Sequence, residues 1–508
     1  MAAPTRQDAH RSPGGGPAVR IASPTGKWVL LTTVLGSSMV MLDSTVVNVA
    51  LPRIGQDLGA SLASLQWTLN AYLLTLAGLI LLGGALGDRF GRRRIFLLGV
   101  VWFACASLLC GLAPNSGLLI AARALQGVGG ALLTPGSLAI IQASFHPDDR
   151  ARAVGLWSGF GGVSIAAGPF LGGWLIDGPG WRWIFLLNIP VALVCVPIAL
   201  RYVPESADGR IHRSFDILGA ALGALCLALV TYALIEAADS PATAVIAACT
   251  GIATGIAFVV VEHRRHADAM MPLDIFRSRQ FTVINLVTVC VYAGFSGYYF
   301  LTAIQLQVVA GYSALGAGAA LLPATLLLLL FSARSGQLAQ RIGPRIPLTV
   351  GSLLVAAGTL LILRVGPHAS YVRDVLPALL VLGLGMVTLV APLTATVLAS
   401  VEDGRAGLAS GINNAAARAA GLIAVAALPL LADMGPESYR SPEAFNAAFQ
   451  RAMPWCAGIL VAGALLAFAA VRRPAPGCVR PDCRTHGSLT TPPLESPPPA
   501  ARSSRRSS

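Results

Sequence analysis

The chain has 508 residues, of which 55% are hydrophobic and only 12% charged, and its mean hydropathy is +0.70. An ordinary soluble globule carries about 25% charged residues, so that class is excluded and lipid must be the main solvent. The formal charge of +13 sits in arginines of short loops and of the tail, with no basic and aromatic cluster, which points to membrane orientation and away from nucleic acid.

Residues 1–27 are polar and Gly/Pro-rich, lack the apolar core of a secretory signal, and read as an N-terminal tail. Apolar runs of roughly 18 residues or more can cross a bilayer as helices. Such runs, bounded by charged residues, Gly or Pro, predict helices at 28–51, 65–87, 95–113, 117–141, 153–177, 183–203, 215–236 and 242–262. Six more follow at 281–303, 314–333, 346–366, 374–400, 408–432 and 452–471, for about fourteen in all. Backbone N–H and C=O groups in hydrocarbon must be satisfied within the segment, which favours helices. A β-barrel strand would alternate every second residue, and runs such as Leu326 to Leu330 do not. From about Pro474 the tail is rich in Pro, Ser and Arg, so 472–508 is expected to be disordered.

Arginines mark alternate loops: Arg89, Arg92, Arg93 and Arg94 after helix two, Arg150 and Arg152 after four, Arg210 and Arg213 after six. The series continues with Arg264, Arg265, Arg277 and Arg279 after eight, Arg341 and Arg345 after ten, and Arg472 and Arg473 after fourteen. The opposite loops are nearly bare of positive charge, so both termini are expected in the cytoplasm.

An internal repeat supports a duplicated architecture. GALGDRFGRR from Gly84 is echoed by GQLAQRIGPR from Gly336, with Gly84, Leu86, Arg89, Gly91 and Arg93 matching Gly336, Leu338, Arg341, Gly343 and Arg345. Halves related in this way are a transporter signature. The expected organisation is an N-terminal six-helix bundle at 28–203, an inserted helix pair with its connectors at 204–280, and a C-terminal six-helix bundle at 281–471.

Ionisable groups inside membrane helices are costly and each needs a reason. Asp43 in helix one, Arg123 in helix four and Arg418 in helix thirteen are the clearest. Taking helix one to end near residue 51, Asp43 lies about 12 Å and Arg123 about 9 Å from the same membrane face, at 1.5 Å per residue. The two can therefore meet. Burial and a neighbouring guanidinium act on a carboxylate in opposite directions, so such a pair serves either as a proton-coupling site or as a static ion pair. Gln126 shares the face of Arg123.

Gly168, Pro169, Gly172 and Gly173 in helix five predict close packing with a kink or hinge. Arg418, preceded by Asn413 and Asn414, either lines a polar cavity or bonds helix carbonyls. Glu236 ends helix seven as an interfacial carboxylate or a cavity acid, and Asp216 begins it as a partner of the helix dipole. The aromatics Trp67, Tyr72, Tyr292, Phe295, Tyr298 and Tyr299 either line a drug-sized pocket or serve packing and interface anchoring.

No cofactor is expected. Cys478, Cys483 and His486 lack a fourth ligand, so no metal is expected either. No HExxH or GxSxG pattern occurs, which argues against an intramembrane enzyme.

The motif running through Gly84, Asp88, Arg89, Gly91, Arg92 and Arg93 resembles the signature between helices two and three of the major facilitator superfamily. The likeness extends over about residues 27–471. The strings LDSTVVNVALP from Leu42, RALQGVGGA from Arg123, GPFLGG from Gly168 and WRWIFLLNIP from Trp181 resemble the fourteen-helix drug:proton antiporter branch, the EmrB/QacA-like family. That resemblance implies an all-α major facilitator fold of two six-helix bundles plus two extra central helices. It also implies proton coupling through Asp43 and Arg123, a cytoplasmic gate at the Gly84 motif, and an antiporter hallmark at Gly168 to Gly173.

The implied activity is proton-driven export of amphipathic drug-like compounds across the plasma membrane. The partners are the compound, protons and the bilayer; Gln126, Glu236, Asn414, Arg418 and the aromatics are candidates for the cavity. A dedicated exporter of one endogenous antibiotic, lipid or siderophore is the alternative. Three departures matter. Gln340 replaces the aspartate in the second copy of the gate motif, and Ser164 stands where the antiporter string begins with glycine. Helix ten carries no acid between Leu315 and Phe331, so recognition of dicationic drugs through an acid there is not implied.

Overall fold

A computed structural model describes residues 19–207, 216–237, 240–265, 269–401, 405–434, 438 and 441–471. The tail at 472–508 and most of the N-terminal tail lie outside the described residues. Among the described residues fourteen helices are long and apolar enough to cross a membrane. They are α1 Pro24–Leu58, α2 Leu62–Phe90, α3 Arg92–Gly111, α4 Ser116–Ser144, α5 Pro147–Asp177, α6 Trp183–Tyr202, α7 Ile217–Ile235 and α8 Pro241–Arg265. The second half holds α9 Arg279–Val309, α10 (Ala314–Ala320 continued by Leu322–Ile342), α11 Arg345–Arg364, α12 Tyr371–Ala399, α13 Ala406–Leu431 and α14 Pro442–Ala470.

Starts are set by capping. Ser23, Ser61, Asn115, Ser278, Ser313 and Ser441 each accept a first-turn backbone N–H, which satisfies a donor that the helix itself leaves free. Several helices outrun the apolar pattern. α1 continues through Pro52 to Leu58 rather than ending at 51, α14 begins at Pro442 rather than 452, and α10 reaches Ile342 rather than 333. Hydropathy registers only the apolar stretch, whereas a helix can continue through polar residues beyond it. The end of the N-terminal segment is also ordered: Val19 bridges Phe145, and α1 begins at Pro24 rather than 28.

The two halves share one packing pattern. In the first, α1 packs on α5 and α6, α2 on α4, and α3 on α4 and α6. In the second, α9 packs on α13 and α14, α10 on α12, and α11 on α12 and α14. Each contact maps onto its counterpart when the helix number rises by eight. The halves meet along α2 with α13, α5 with α10, and α1 with α9, pairings that the same exchange leaves unchanged.

Small residues let backbones approach where side chains would hold them apart. A Cβ on Gly127 of α4 would strike Tyr72 and Thr75 of α2, and one on Gly129 would strike Phe103 of α3. Gly351 and Gly385 play the same part between α11 and α12. The helix pair α7 and α8 is peripheral. Only 17% of each membrane window is buried, against 56% for α1, and Ile246, Ile252 and Ile256 face outward. α7 nevertheless packs on both α2 and α13, so it covers that seam between the halves.

Candidate functional site

The first half encloses a polar knot. Asp43 of α1 is 2% exposed and Arg123 of α4 is 1% exposed. One terminal guanidinium nitrogen of Arg123 donates to Asp43 Oδ2 at 2.6 Å and to Gln126 Oε1 at 2.6 Å, while its Nε donates to the Thr68 carbonyl of α2 at 3.0 Å. Gln126 Nε2 donates to Asp43 Oδ1 at 2.9 Å and to Ser107 Oγ of α3 at 2.7 Å. Asn188 of α6 donates to the same Ser107 oxygen at 3.2 Å. The Arg123 guanidinium also lies 4.2 Å from the Tyr72 ring centroid.

Helices α1, α2, α3, α4 and α6 thus converge on one carboxylate and one guanidinium, each hydrogen-bonded to the other and to neutral dipoles. A buried charge pair is tolerable only when so satisfied. The knot is neutral as a whole.

α1 does not end near residue 51. The helix runs to Leu58, so Asp43 lies about 22 Å from its end at 1.5 Å per residue. The two charges meet even so. Thr68, Ser107 and Asn188 were not singled out in the sequence. Asn188 lies within the string WRWIFLLNIP, but a lone Ser, Thr or Asn in an apolar run is too common to mark a site.

The gate motif is mostly helix rather than loop. Gly84 to Phe90 form the last turns of α2, Gly91 is the single link, and Arg92 begins α3. Gly91 has φ 107°, a conformation that a side chain strongly disfavours, and its counterpart Gly343 has φ 83°. Asp88 pairs with Arg92 at 2.8 Å. Glu205, just past α6, accepts the Arg93 backbone N–H at 3.1 Å and lies 3.7 Å from the Arg93 and 3.6 Å from the Arg94 side chains. Glu205 falls in a stretch read from sequence only as a connector.

At the end opposite these arginines the halves are fastened. Asp177, the last residue of α5, accepts the backbone N–H groups of Ala314 at 3.2 Å and Leu315 at 2.8 Å, at the start of α10. Gln307 of α9 donates to the Val49 carbonyl of α1 at 2.9 Å, and Gln66 of α2 to the Val425 carbonyl of α13 at 2.7 Å. α5 is helical throughout, Pro169 included. Its glycines serve contact: a Cβ on Gly168 would strike Thr45, one on Gly172 would meet Val46, and one on Gly173 would strike the backbone of Ala314 and Leu315. Reciprocally, a Cβ on Gly318 would strike the Pro169 carbonyl. A surface cavity of about 600 Å³ lies at this end, lined by Arg53, Asp57, Asp177 and Arg182 among others, away from the Asp43 knot.

The remaining candidates divide. Gln126 belongs to the knot, and Tyr72 is packed against Arg123. Tyr298 is fully buried against Tyr299, with ring centroids 5.4 Å apart, so it is core of the second half and does not line a cavity. Trp67 lies 6.4 Å from the ring of Tyr232 on α7 and so packs on the inserted pair. Glu236 is the partly exposed C-cap of α7. Asp216 accepts the Gly219 N–H at 2.7 Å and pairs with Arg265 at 3.0 Å. Asn414 is exposed and Arg418 partly so, and Asn413 bonds Asn285 and Thr288 of α9. Among the described residues no cluster of three metal-ligating side chains occurs.

The sequence matches the profile of the Major Facilitator Superfamily over residues 33–425. It is 36% identical to the multidrug resistance protein Stp of Mycobacterium tuberculosis, over 76% of this chain and 72% of that one. It is 35% identical to the puromycin resistance protein pur8 of Streptomyces alboniger, over 87% and 90%. It is also 35% identical to the tetracenomycin C resistance and export protein of Streptomyces glaucescens, over 79% and 75%. Among solved structures, the fold is similar to that of a bacterial homologue of the human lysosomal transporter Spinster, with TM-score 0.63 and 18% identity over 90% of this chain and 100% of that one. It is also similar to a POT family transporter, with TM-score 0.65 and 14% identity over 87% and 94%. The chain therefore belongs to the Major Facilitator Superfamily, in the fourteen-helix drug:proton antiporter branch that its motifs resemble.

Proposed function

We propose that this protein exports amphipathic drug-like compounds from the cytoplasm across the plasma membrane, in exchange for protons moving inward. The observation that carries the reading is the closed knot of Asp43, Arg123 and Gln126, a neutral unit to which a single added proton brings an uncompensated charge. Its relatives in drug and antibiotic resistance support the compound class.

The arginine-rich end faces the cytoplasm, with both termini on that side. Residues 28–203 and 281–471 act as the two rocking bundles, and 204–280 as the inserted pair. The arrangement described then has its outer end fastened through Asp177, Gln307 and Gln66. Asp88 and its neighbouring arginines act at the cytoplasmic gate, whose closed form is the alternative state. Substrate and proton must prefer different states for exchange to occur.

The dedicated-exporter reading is favoured by relatives named for single antibiotics, such as the probable actinorhodin transporter of Streptomyces coelicolor, 33% identical over 82% of this chain. Susceptibility of a deletion strain to structurally unrelated compounds separates the two, since unchanged sensitivity to all of them favours the dedicated exporter. The antiport itself is tested in proteoliposomes with an imposed pH gradient and a dye panel. Absence of proton-linked dye flux in the wild-type protein overturns it.

A further inference from the structure

We infer that Arg418, with Asn414 and Tyr292, forms an oxyanion-binding subsite between the two bundles, so that this exporter favours amphipathic anions over amphipathic cations. The inference rests on the exporter reading and adds the sign of the substrate's charge.

Arg418 stands at the midpoint of α13 (Ala406–Leu431), roughly 18–20 Å from either end of the helix at 1.5 Å per residue. It is thus near the centre of the membrane, where a charged side chain is expensive and requires a partner or water. Among the described residues Arg418 has neither an ion pair nor a hydrogen bond, in contrast to Arg123. It is partly exposed all the same.

The side of the helix it occupies is fixed by its neighbours, at about 100° per residue. Gly411, Asn414, Gly421 and Val425 all fall within about 60° of Arg418. A Cβ on Gly411 would strike Leu81 of α2, one on Gly421 would meet Ser296 of α9, and the Val425 carbonyl accepts from Gln66 of α2. The exposed apolar residues Ile423, Leu430 and Leu431 lie about 120–140° away, toward lipid. Arg418 therefore faces inward, between α2 and α9. Its charge is within electrostatic reach of Tyr72 on the first and Tyr292 on the second.

Partners are present on that face. On the helix surface Arg418 neighbours Ala415 at i−3 and Gly421 at i+3, which put little bulk beside the guanidinium on those sides. Asn414, one turn away on the same face, is exposed and commits only its Nδ2, to its own helix at 3.3 Å. Tyr292 is 38% exposed and brings a phenol from the facing helix. A planar guanidinium with an amide and a phenol suits a carboxylate, an acidic phenol or another oxyanion.

Charge balance then sets specificity. Asp43 and Arg123 neutralise each other, so among the described residues Arg418 is left as an unmatched positive charge midway along its helix. A cation entering beside Arg418 meets repulsion in a poorly screened site, while an anion gains a charge partner that no described residue takes up.

Two xanthene dyes of similar shape and opposite charge, fluorescein and rhodamine 6G, test this with the full-length protein. Fluorescence polarisation gives binding in detergent, and proteoliposomes with an imposed pH gradient give flux. We expect wild-type protein to bind fluorescein more tightly than rhodamine 6G. We expect Arg418→Gln to weaken fluorescein relative to rhodamine 6G by about ten- to a hundredfold, as loss of a charge-assisted bond implies, and Arg418→Lys to restore part of the preference. Wild-type protein binding fluorescein no more tightly than rhodamine 6G overturns the inference, as does an Arg418→Gln variant that loses both dyes equally. Failure of the antiport reading is distinct: either dye then moves without proton flux while the Arg418-dependent preference persists.

Discussion

Replacing Asp43 by Asn removes one charge from the knot while keeping the side chain's size. The pair has a 2.6 Å contact, and both side chains are 1% exposed, so solvent does not compensate the loss. With an effective dielectric constant of about 20 and charge centres about 4 Å apart, the direct attraction is about 4 kcal/mol. That agrees with the roughly 3–5 kcal/mol lost when one partner of a buried pair is removed. Arg123 keeps the Thr68 carbonyl, the Gln126 oxygen and the Tyr72 ring, which places the expected destabilisation near the lower end, about 3 kcal/mol. The functional expectation is sharper. Asp43→Asn should still let dye equilibrate down its own gradient, but a pH gradient should no longer drive accumulation. Chemical unfolding in mixed micelles measures the first quantity, and dye flux in proteoliposomes with an internal pH indicator measures the second. Proton-coupled accumulation retained at the wild-type rate would refute the coupling argument, and with reduced stability alone the pair is static.

Asp177→Asn removes the negative charge at the start of α10 and leaves at most one oxygen for the Ala314 and Leu315 N–H groups, so the fastened end should loosen by about 0.5–2 kcal/mol. Spin-label distances between the ends of α5 and α10 read this as a broader, longer distribution, and an unchanged distribution contradicts it. Glu205→Gln keeps an acceptor for the Arg93 N–H but loses the attraction to two partly exposed arginines, at a cost under about 1 kcal/mol. The wild-type unfolding temperature should fall with added salt more than that of the variant. Asp274, outside the membrane helices, has its carboxyl held below the usual carboxylate range by the hydrogen bond from Arg405 at 2.6 Å and by the charge of that residue. A pKa depressed by folding stabilises above the unfolded value, about 3.9, and the contribution fades as pH falls through the folded value. The stability difference between wild type and Asp274→Asn should therefore be constant at neutral pH and shrink only below about pH 4; both groups are largely solvated, so it is small.

The meeting of Asp43 with Arg123 was legible because a charge in an apolar run needs a partner, and few candidates exist at the right depth. The apolar run alone puts Asp43 too close to the end of its helix, since it does not register the turns from Pro52 to Leu58. Glu205 was illegible for another reason. A carboxylate in a polar connector is ordinary until the chain folds it against Arg93 and Arg94. Tyr298 shows the converse failure, because an aromatic residue in a membrane helix has the same local signature in a core as in a cavity. The repeat at Gly84 and Gly336 did announce two related halves. It did not announce that α7 would lie across the seam between α2 and α13, because that contact is made by small and apolar residues, such as Gly78 against Ala224, which carry no pattern distinguishing a protein neighbour from lipid.

That asymmetry bears on how the halves can move. Their two long seams are equivalent under exchange of the bundles, yet only the one between α2 and α13 is covered by α7. The seam between α5 and α10 has no such cover among the described residues, and it is close: Gly173 lies against the backbone of Ala314 and Leu315, and Gly318 against the carbonyl of Pro169. At these two points backbone lies on backbone, and the Asp177 cap fastens the same end. At the covered seam, opening must also part α7 from α2 or from α13, which exposes further apolar surface at about 25 cal/mol per Å² wherever water replaces the contact. Lipid replacing it would cost far less, so the penalty falls mainly on the cavity side. On this reckoning the uncovered seam would be the easier one to part. α7, only 17% of whose membrane window is buried, touches one helix of each bundle, so deleting its contacts should narrow the difference between the two seams.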